Sequence, residues 1–320
     1  MTCNPNHPQI LKALPHRASP NNCPDIVLRV FRQQVQQLVY VLQNKLVPGW
    51  EGLKGNILVI EFQKRGLPHV HILAILDRTN NITADEIKKY ATAEIPSKDD
   101  SSEDWKNVVS FMLHRPCGDI NPDAPCCNNK YNKCEHGFPK DYMPYSSFDD
   151  EDGSPSYRRH TPENGGGSYS VNLTVMKRKL KYEYTSKDVV PHNLWLLRKF
   201  KCHINVEICS SLKVIKYLLW YPFKGEARVI ASKEDEEANV GDEVKQYEDL
   251  RTVGATEAFW RLYEFPLHTR YPKVYSLEIH LEDQQEIYFE DETIMQEIVS
   301  NEPRKHNLSP FLNSIKNMME

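Results

Sequence analysis

The chain has 320 residues, of which 40% are hydrophobic and 26% are charged, and its formal net charge is −4. This composition predicts a globular protein with one large or two small domains and excludes a uniformly basic DNA-binding surface, so any contact with nucleic acid must use local basic patches. No apolar run approaches the length of a membrane span, and the first residues lack a secretory signal, so we expect an intracellular protein without membrane contact. Its eight cysteines favour metal ligation and buried thiols over a disulfide framework.

An amphipathic helix is predicted at residues 24–46. Apolar residues recur there at steps of three and four, Pro24 suits a first helical turn, and Pro48 with Gly49 ends the pattern. The recurring residues are Val27, Val30, Phe31, Val35, Leu38, Val39 and Leu42. We expect this helix to cover a sheet.

A β-hairpin is predicted at residues 56–76. Two apolar, β-branched runs, residues 57–62 and 70–76, flank a turn-prone segment that contains Gly66 and Pro68. The hairpin therefore supplies a frame on which side chains of alternate positions share a face.

Two histidines, His69 and His71, share one face of the second predicted strand. Strand pairing brings the face that holds Glu61 and Gln63 beside them. Two imidazoles and one oxygen ligand can bind a divalent metal ion, with Glu61 as the preferred oxygen ligand and Gln63 as the alternative. The simpler interpretation is that the histidines form hydrogen bonds on a half-buried sheet.

The segment EFQKRGLPHVHIL, residues 61–73, closely resembles the second motif of the Rep-type nuclease in Helitron rolling-circle transposases, a branch of the HUH endonucleases. The resemblance implies that the histidine pair holds Mg²⁺ or Mn²⁺, which polarises a scissile DNA phosphate, and that a downstream tyrosine attacks it. The opening residues Thr2, Cys3, Asn4 and Pro5 resemble the end of the family's first motif. Because the strand before that motif is missing, we expect an amino-terminally truncated copy whose sheet lacks one strand. The simpler interpretation of Asn4 and Pro5 is an ordinary turn.

A capping box of Thr83 and Glu86 predicts a short helix, and a second helix is predicted at residues 103–113. A Pro- and Asn-rich loop follows, which cannot build a core of its own. Imidazole and thiolates suit zinc, so we predict a closed structural Zn²⁺ site in an insertion at residues 103–140. Its predicted ligands are His114, Cys117, Cys126 and Cys134, with Cys127 and His136 as substitutes and free thiols as the alternative.

Two basic segments are candidates for contact with DNA phosphates. Residues 157–160, YRRH, resemble the Helitron family, as does the Cys/His segment, and Arg158 and Arg159 are the predicted contacts. Residues 176–181, MKRKLK, fit phosphate contact, a nuclear address or a solvated strand face. We therefore expect a nuclear location.

Two tyrosines are the candidate nucleophiles. Residues 202–208 alternate like a strand, and a following helix places Tyr217 and Tyr221 on one face, one turn apart. A phenol is a weak nucleophile at neutral pH, so it needs a polarised phosphate and help in losing its proton. A buried aromatic stripe is the simpler interpretation of this spacing.

The segments CHINVE and KYLLWYPFKG, residues 202–207 and 216–225, resemble the Helitron two-tyrosine motif. The resemblance implies that Tyr217 and Tyr221 attack DNA, which yields a 5′-phosphotyrosine and a free 3′-hydroxyl, and that Lys224 is a phosphate contact. Pro222 departs from the family pattern and kinks or ends the helix.

The predicted fold is α+β and HUH-like, with a central antiparallel sheet flanked by helices, a zinc-bound insertion and a small carboxy-terminal extension. Residues 1–230 are the predicted nuclease domain, and residues 231–320 are a linker and a small α/β extension that would precede a helicase. No GxxxxGK[ST] motif is present, so we expect no helicase in this chain.

The predicted function is metal-dependent nicking and strand transfer of single-stranded DNA through the phosphotyrosine. Two alternatives stay open. One is an inactive transposon remnant that binds zinc and DNA, and the other is a metal hydrolase that uses His69 and His71 with water as the nucleophile.

Overall fold

The computed structural model describes residues 1–62, 66–128, 133–149, 153–175, 178–209 and 253–273. The chain divides into two compact units, Met1–Arg270 and Tyr271–Glu320, and the first holds nearly all of the described residues. The helices in the described ranges are α1 (Pro8–Ala13), α2 (Pro24–Gln43), α3 (Ile87–Tyr90), α4 (Ser102–Phe111), α5 (Leu194–Phe200) and α6 (Ala255–Leu262). The strands there are β1 (Leu53–Phe62), β2 (Pro68–Leu76), β3 (Cys127–Asn128), β4 (Lys133–Cys134), β5 (Ser147–Phe148), β6 (Pro155–Ser156), β7 (Tyr169–Val175), β8 (Arg178–Tyr184) and β9 (His268–Tyr271). None of these helices is both long and apolar enough to cross a bilayer.

The central sheet is built on the hairpin of β1 and β2. These strands pair antiparallel, with Glu61 opposite His69 and Val59 opposite His71, so the predicted hairpin is confirmed. Strand β9 lies on the other side of β1, which gives the order β2-β1-β9. Smaller antiparallel pairs join β3 with β4, β5 with β6 and β7 with β8. The arrangement confirms a mixed α and β fold, whereas its HUH type stays a prediction.

Helix α2 buries its apolar stripe in the same core as residues of β1 and β2, and Phe31 at its centre is fully enclosed. The predicted helix is thereby confirmed, although it ends three residues earlier than the predicted range 24–46. Its end is fixed locally, because the Asn44 side chain donates to the Tyr40 carbonyl at 2.8 Å and Lys45 adopts a positive φ of 57°. A residue in the left-handed region cannot continue an α-helix.

Residues 1–3 run along the free edge of β2. Thr2 forms an antiparallel bridge with His69, and its N–H donates to the His203 carbonyl at 2.9 Å. The flanking hydrogen bonds run from the Cys3 N–H to the Pro68 carbonyl at 3.0 Å and from the Val70 N–H to the Met1 carbonyl at 2.9 Å. The opening segment therefore supplies a short edge to the sheet, beside the strand that carries the two histidines.

Residues 253–270 belong to the first unit. Trp260 of α6 is 2% exposed and packs edge-on against Phe62, with ring centroids 6.0 Å apart, and the Ile60 N–H donates to the Leu267 carbonyl at 2.6 Å. The boundary predicted after residue 230 lies outside the described residues, whereas the two units divide between Arg270 and Tyr271. These residues, which lie within the predicted carboxy-terminal extension, thus pack against the core around β1.

The two short predicted helices that follow the hairpin are also present. The capping box of Thr83 and Glu86 opens a 3₁₀ turn that leads into α3, and Arg78 donates to the same Glu86 carboxylate at 3.0 Å. Helix α4 begins after Ser101, whose hydroxyl accepts from the Asp104 N–H as an N-cap. Its predicted range, 103–113, agrees with the observed helix to within two residues at each end.

A buried carboxylate joins α4 to α5. Both carboxylate oxygens of Asp104 accept from the Arg198 guanidinium, with Nη2 to Oδ2 at 2.5 Å, and the Ser101 hydroxyl donates at 2.9 Å. The Arg198 hydrogen bonds lower the pKa of Asp104, assisted by Ser101 and opposed by burial. Since the folded pKa lies below the unfolded value of about 3.9, this stabilisation is present above pH 4 and is lost as the pH falls through the folded pKa.

Asp104→Asn is therefore expected to lower the free energy of unfolding at pH 7 by about 2 kcal/mol, the contribution of a hydrogen bond to a charged group. The same variant should lose less stability than the wild type between pH 4 and pH 2. Urea unfolding at pH 7 and pH 3 measures both effects. Glu103→Gln is the matched control, because Glu103 is exposed and contacts Lys201 only at 3.7 Å. Equal pH dependence in all three proteins would contradict the assignment.

Candidate functional site

His69 and His71 lie side by side on one face of β2. Their ring centroids are 4.6 Å apart, and the ring planes are inclined by 55°. Val70 between them is 1% exposed and points into the core on the opposite face. The predicted alternation of faces is thus confirmed, and the two imidazoles form what we call the histidine face.

Glu61 reaches this face from β1. Although it is paired in register with His69, its Oε2 atom lies 3.2 Å from His71 Nε2, so the side chain extends diagonally across the strand pair. Both side chains are partly exposed, so solvent or a ligand can approach them. Gln63, the alternative oxygen ligand, lies outside the described residues.

His69 is neutral at physiological pH. Burial, together with smaller effects of the amino terminus, His71 and His203, lowers the pKa of His69 to about 2. Neutral imidazole is the form that binds metal ions. Imidazole and carboxylate together fit a divalent ion, but among the described residues Glu61, His69 and His71 are not drawn into one closed ligand group, so Mg²⁺ or Mn²⁺ here stays a prediction.

The predicted zinc ligands do form one closed group. The ligand atoms of His114, Cys117, Cys126 and Cys134 all lie within 4.8 Å of one another. His114 Nε2 lies 3.5, 3.4 and 3.5 Å from the three sulfurs in that order. A tetrahedral zinc ion with usual bond lengths separates a nitrogen and a sulfur ligand by about 3.6 Å. The four side chains are thus arranged to hold a metal such as zinc, with all four positions filled.

The two substitutes named from the sequence lie elsewhere. Cys127 is buried, and its sulfur accepts from the Gly118 N–H at 3.1 Å and lies 3.5 Å from the Asn121 carbonyl. His136 is exposed, and its ring centroid is 6.3 Å from that of His114. The structure therefore selects Cys126 over its neighbour, a choice that spacing alone left open.

Local contacts hold this cluster in place. The His114 ring stacks on Phe138, with centroids 4.3 Å apart and planes 11° from parallel. The His114 N–H donates to the Asp188 carbonyl at 2.8 Å, which fastens the cluster to the main core. Burial raises the pKa of Cys134, but hydrogen bonds from the Phe138 and His136 backbone, together with the contacts of Cys117 and Cys126, outweigh it, so the net pKa is lowered. Such N–H groups favour the thiolate that a metal requires.

Residues 1–74 match the family model described as the Helitron helicase-like domain at the N-terminus. This part of the chain is similar to the Helitron domain. It contains the opening edge segment, α2 and the whole histidine face with Glu61, whereas the Cys/His cluster lies beyond the matched residues. None of the curated proteins matches the chain significantly.

The YRRH segment lies outside the Helitron match, and the structure corrects one of its predicted roles. Arg159 is 4% exposed, so the prediction that it contacts DNA is wrong. Its guanidinium instead donates to the backbone carbonyls of Ala93, Ser186 and Val189. Arg158 is half-exposed and pairs with Glu94 at 2.6 Å, so its contact with DNA stays a prediction. No feature of the sequence distinguishes the two adjacent arginines.

Tyr157 has a structural role that the sequence did not indicate. Its side chain is buried, and its hydroxyl accepts from the Ile208 N–H at 2.9 Å. Burial raises the pKa of Tyr157 well above its ordinary value, so the phenol stays protonated. The contact ties this segment to Ile208, the residue that follows CHINVE.

The basic segment MKRKLK contributes part of strand β8. Lys179 and Lys181 are exposed and lie opposite Thr174 and Asn172 of β7. The other face of this hairpin packs against the core through residues that include Tyr182. The lysines are thus available to a phosphate, and a solvated strand face remains the alternative.

The remaining predicted residues of the Helitron-like site, Tyr217, Tyr221 and Lys224, lie outside the described residues. Their roles stay predictions from the sequence. The described part of the site is therefore the histidine face, with Glu61 and Thr2 in contact with its two rings.

Proposed function

We propose that this protein nicks single-stranded DNA and rejoins it through a covalent phosphotyrosine. The observation that carries the proposal is the histidine face. Two imidazoles lie 4.6 Å apart on a strand within the Helitron-related residues, and one of them contacts a carboxylate. Mixed imidazole and carboxylate donors at a partly exposed sheet face suit a divalent cation and an anionic substrate.

Glu61, His69 and His71 would hold Mg²⁺ or Mn²⁺, which when bound withdraws charge from the scissile phosphate. His69 keeps a neutral ring, because burial depresses its pKa to about 2. Glu61 and His71 lie close enough to approach one cation, because the Glu61 carboxylate is 3.2 Å from His71 Nε2. The paired strands β1 and β2 keep these three metal-binding side chains in fixed positions.

In the proposed reaction, the phenol oxygen of either Tyr217 or Tyr221 attacks phosphorus. A bond forms between that oxygen and phosphorus, the bond from phosphorus to the 3′ oxygen breaks, and the phenolic proton is released. The departing 3′ oxygen takes up a proton and becomes a free 3′-hydroxyl. The other tyrosine can attack a second site while the first end is held. Attack by a 3′-hydroxyl on the phosphotyrosine then rejoins the strand, so the number of phosphodiester bonds is conserved.

DNA binding in this proposal uses local positive charge. Lys224, Arg158 and the exposed Lys179 and Lys181 are the candidate phosphate contacts. The chain as a whole is acidic, so its affinity should depend on these few residues and weaken as salt rises. Arg158 would have to exchange Glu94 for a phosphate.

The test is formation of a covalent adduct. The zinc-loaded protein is incubated with Mn²⁺ and a labelled single-stranded oligonucleotide, and a denaturant-resistant protein–DNA band is expected. The double variant Tyr217→Phe/Tyr221→Phe should abolish it, and His71→Ala should reduce its rate at least about 100-fold, because loss of the cation removes several kcal/mol of charge stabilisation. Tyr145→Phe is the matched control, because Tyr145 is 67% exposed and lies outside the proposed site.

Other outcomes favour the alternatives. DNA cleavage without an adduct, lost in His71→Ala but retained in the double tyrosine variant, would favour a hydrolase that uses water. DNA binding without cleavage would favour an inactive remnant. Either result would overturn the phosphotyrosine mechanism.

A further inference from the structure

Thr2 lies at the edge of the sheet, next to the histidine face. It is directly bridged to His69, and backbone hydrogen bonds on both sides of the bridge fix this register. Its own N–H donates to the His203 carbonyl at 2.9 Å, so the backbone of Thr2 is held on its other side as well. The position of its hydroxyl is therefore set by the sheet.

That hydroxyl contacts one particular nitrogen. Thr2 Oγ1 lies 2.7 Å from His69 Nδ1, a normal length for a hydrogen bond. A neutral imidazole carries one N–H and one lone pair, so the group bound at Nδ1 decides what Nε2 presents. If Nδ1–H donates to the hydroxyl, Nε2 keeps the lone pair with which histidine binds metals.

We propose that Thr2 is a positioning residue that holds His69 in the Nδ1–H tautomer and leaves the Nε2 lone pair for a divalent cation. This inference rests on the proposed function, because it assigns a role within the same metal site. Histidine ligands are generally oriented by an acceptor at the second ring nitrogen, and loss of that acceptor weakens metal binding 10- to 100-fold. A hydroxyl is a weaker acceptor than a carboxylate, so about a tenfold effect is expected.

The test compares Thr2→Val with Thr2→Ser in the full, zinc-loaded chain. Valine keeps the shape of threonine without the hydroxyl, whereas serine keeps the hydroxyl. Mn²⁺ titration followed by electron paramagnetic resonance, without DNA, should show about tenfold weaker binding for Thr2→Val and near wild-type binding for Thr2→Ser. Thr174→Val is the matched control, because Thr174 is exposed on β7.

A second measurement reads the tautomer directly. Nitrogen-15 NMR of the metal-free wild type should show the His69 proton on Nδ1, and Thr2→Val should lose this preference. A proton on Nε2 in the wild type would overturn the inference, even if Thr2→Val did not fold. Equal Mn²⁺ affinity of the wild type and Thr2→Val would also overturn it.

The same experiments distinguish failure of the proposed metal site from failure of the role of Thr2. If Mn²⁺ affinity were unchanged in His71→Ala, the metal site itself would fail, whatever the tautomer of His69. If the wild type formed the covalent adduct and Thr2→Val bound Mn²⁺ normally, only the role of Thr2 would fail.

Discussion

Replacement of Cys126 by serine is expected to abolish zinc binding and to unfold the loop that follows α4. Between residues 114 and 140, only Pro116 and Cys127 are buried among the described positions, so this segment has almost no apolar core. A structural zinc site contributes about 10–16 kcal/mol of apparent binding free energy, which the loop cannot replace by packing. Removal of zinc with a chelator should have the same effect as the substitution.

Zinc content and limited proteolysis measure this result. The wild type should hold one zinc per chain and resist cleavage between residues 114 and 140, whereas Cys126→Ser should lose the zinc and be cut there. Cys127→Ser is a matched control one residue away, because the Cys127 sulfur contacts the Gly118 N–H and not the ligand group. Zinc loss in Cys127→Ser together with zinc retention in Cys126→Ser would show that the ligand assignment is wrong.

Arg159→Met is expected to lower the free energy of unfolding by about 3 kcal/mol or more, because each buried carbonyl that loses the charged donor costs roughly 1–3 kcal/mol. The substitution leaves the carbonyls of Ala93, Ser186 and Val189 without the guanidinium that now joins them. Burial lowers the pKa of Arg159 to about 10, so the group is still charged at neutral pH while it makes these bonds.

Arg158→Met provides the control, because the two arginines are adjacent and differ in exposure. Its ion pair with Glu94 is half-exposed and should contribute less than about 1 kcal/mol. Urea unfolding compares the two variants, and salt-dependent binding to an oligonucleotide compares their affinity for DNA. If Arg159→Met were as stable as Arg158→Met but bound DNA less tightly, that result would instead support the prediction that Arg159 contacts a DNA phosphate.

Local patterns in the sequence predicted the features that depend on local chemistry. The alternation around His69 and His71 predicted their common face. The spacing of the cysteines and His114 predicted the candidate ligand group but did not exclude Cys127 and His136 as substitutes. Zinc ligands must converge on one point, so residue type and spacing constrain them strongly.

The features that the sequence did not predict depend on distant parts of the chain. Thr2 meets His69 only because an edge segment pairs with β2, and Arg159 is buried between two separate backbone segments, one at Ala93 and the other at residues 186–189. The packing of α6 on α2 and the pairing of β9 with β1 are contacts of the same kind. Such partners lie tens to hundreds of residues away, beyond any periodicity within one segment.

The place of β9 in the sheet has a practical consequence. A recombinant version that stopped at residue 230 would remove the neighbour of β1 and the aromatic cover of Phe62 in one step. Strand β1 would then have an unpaired edge, whose backbone N–H and C=O groups can form hydrogen bonds with other chains. Such a fragment is therefore expected to self-associate instead of behaving as an independent domain.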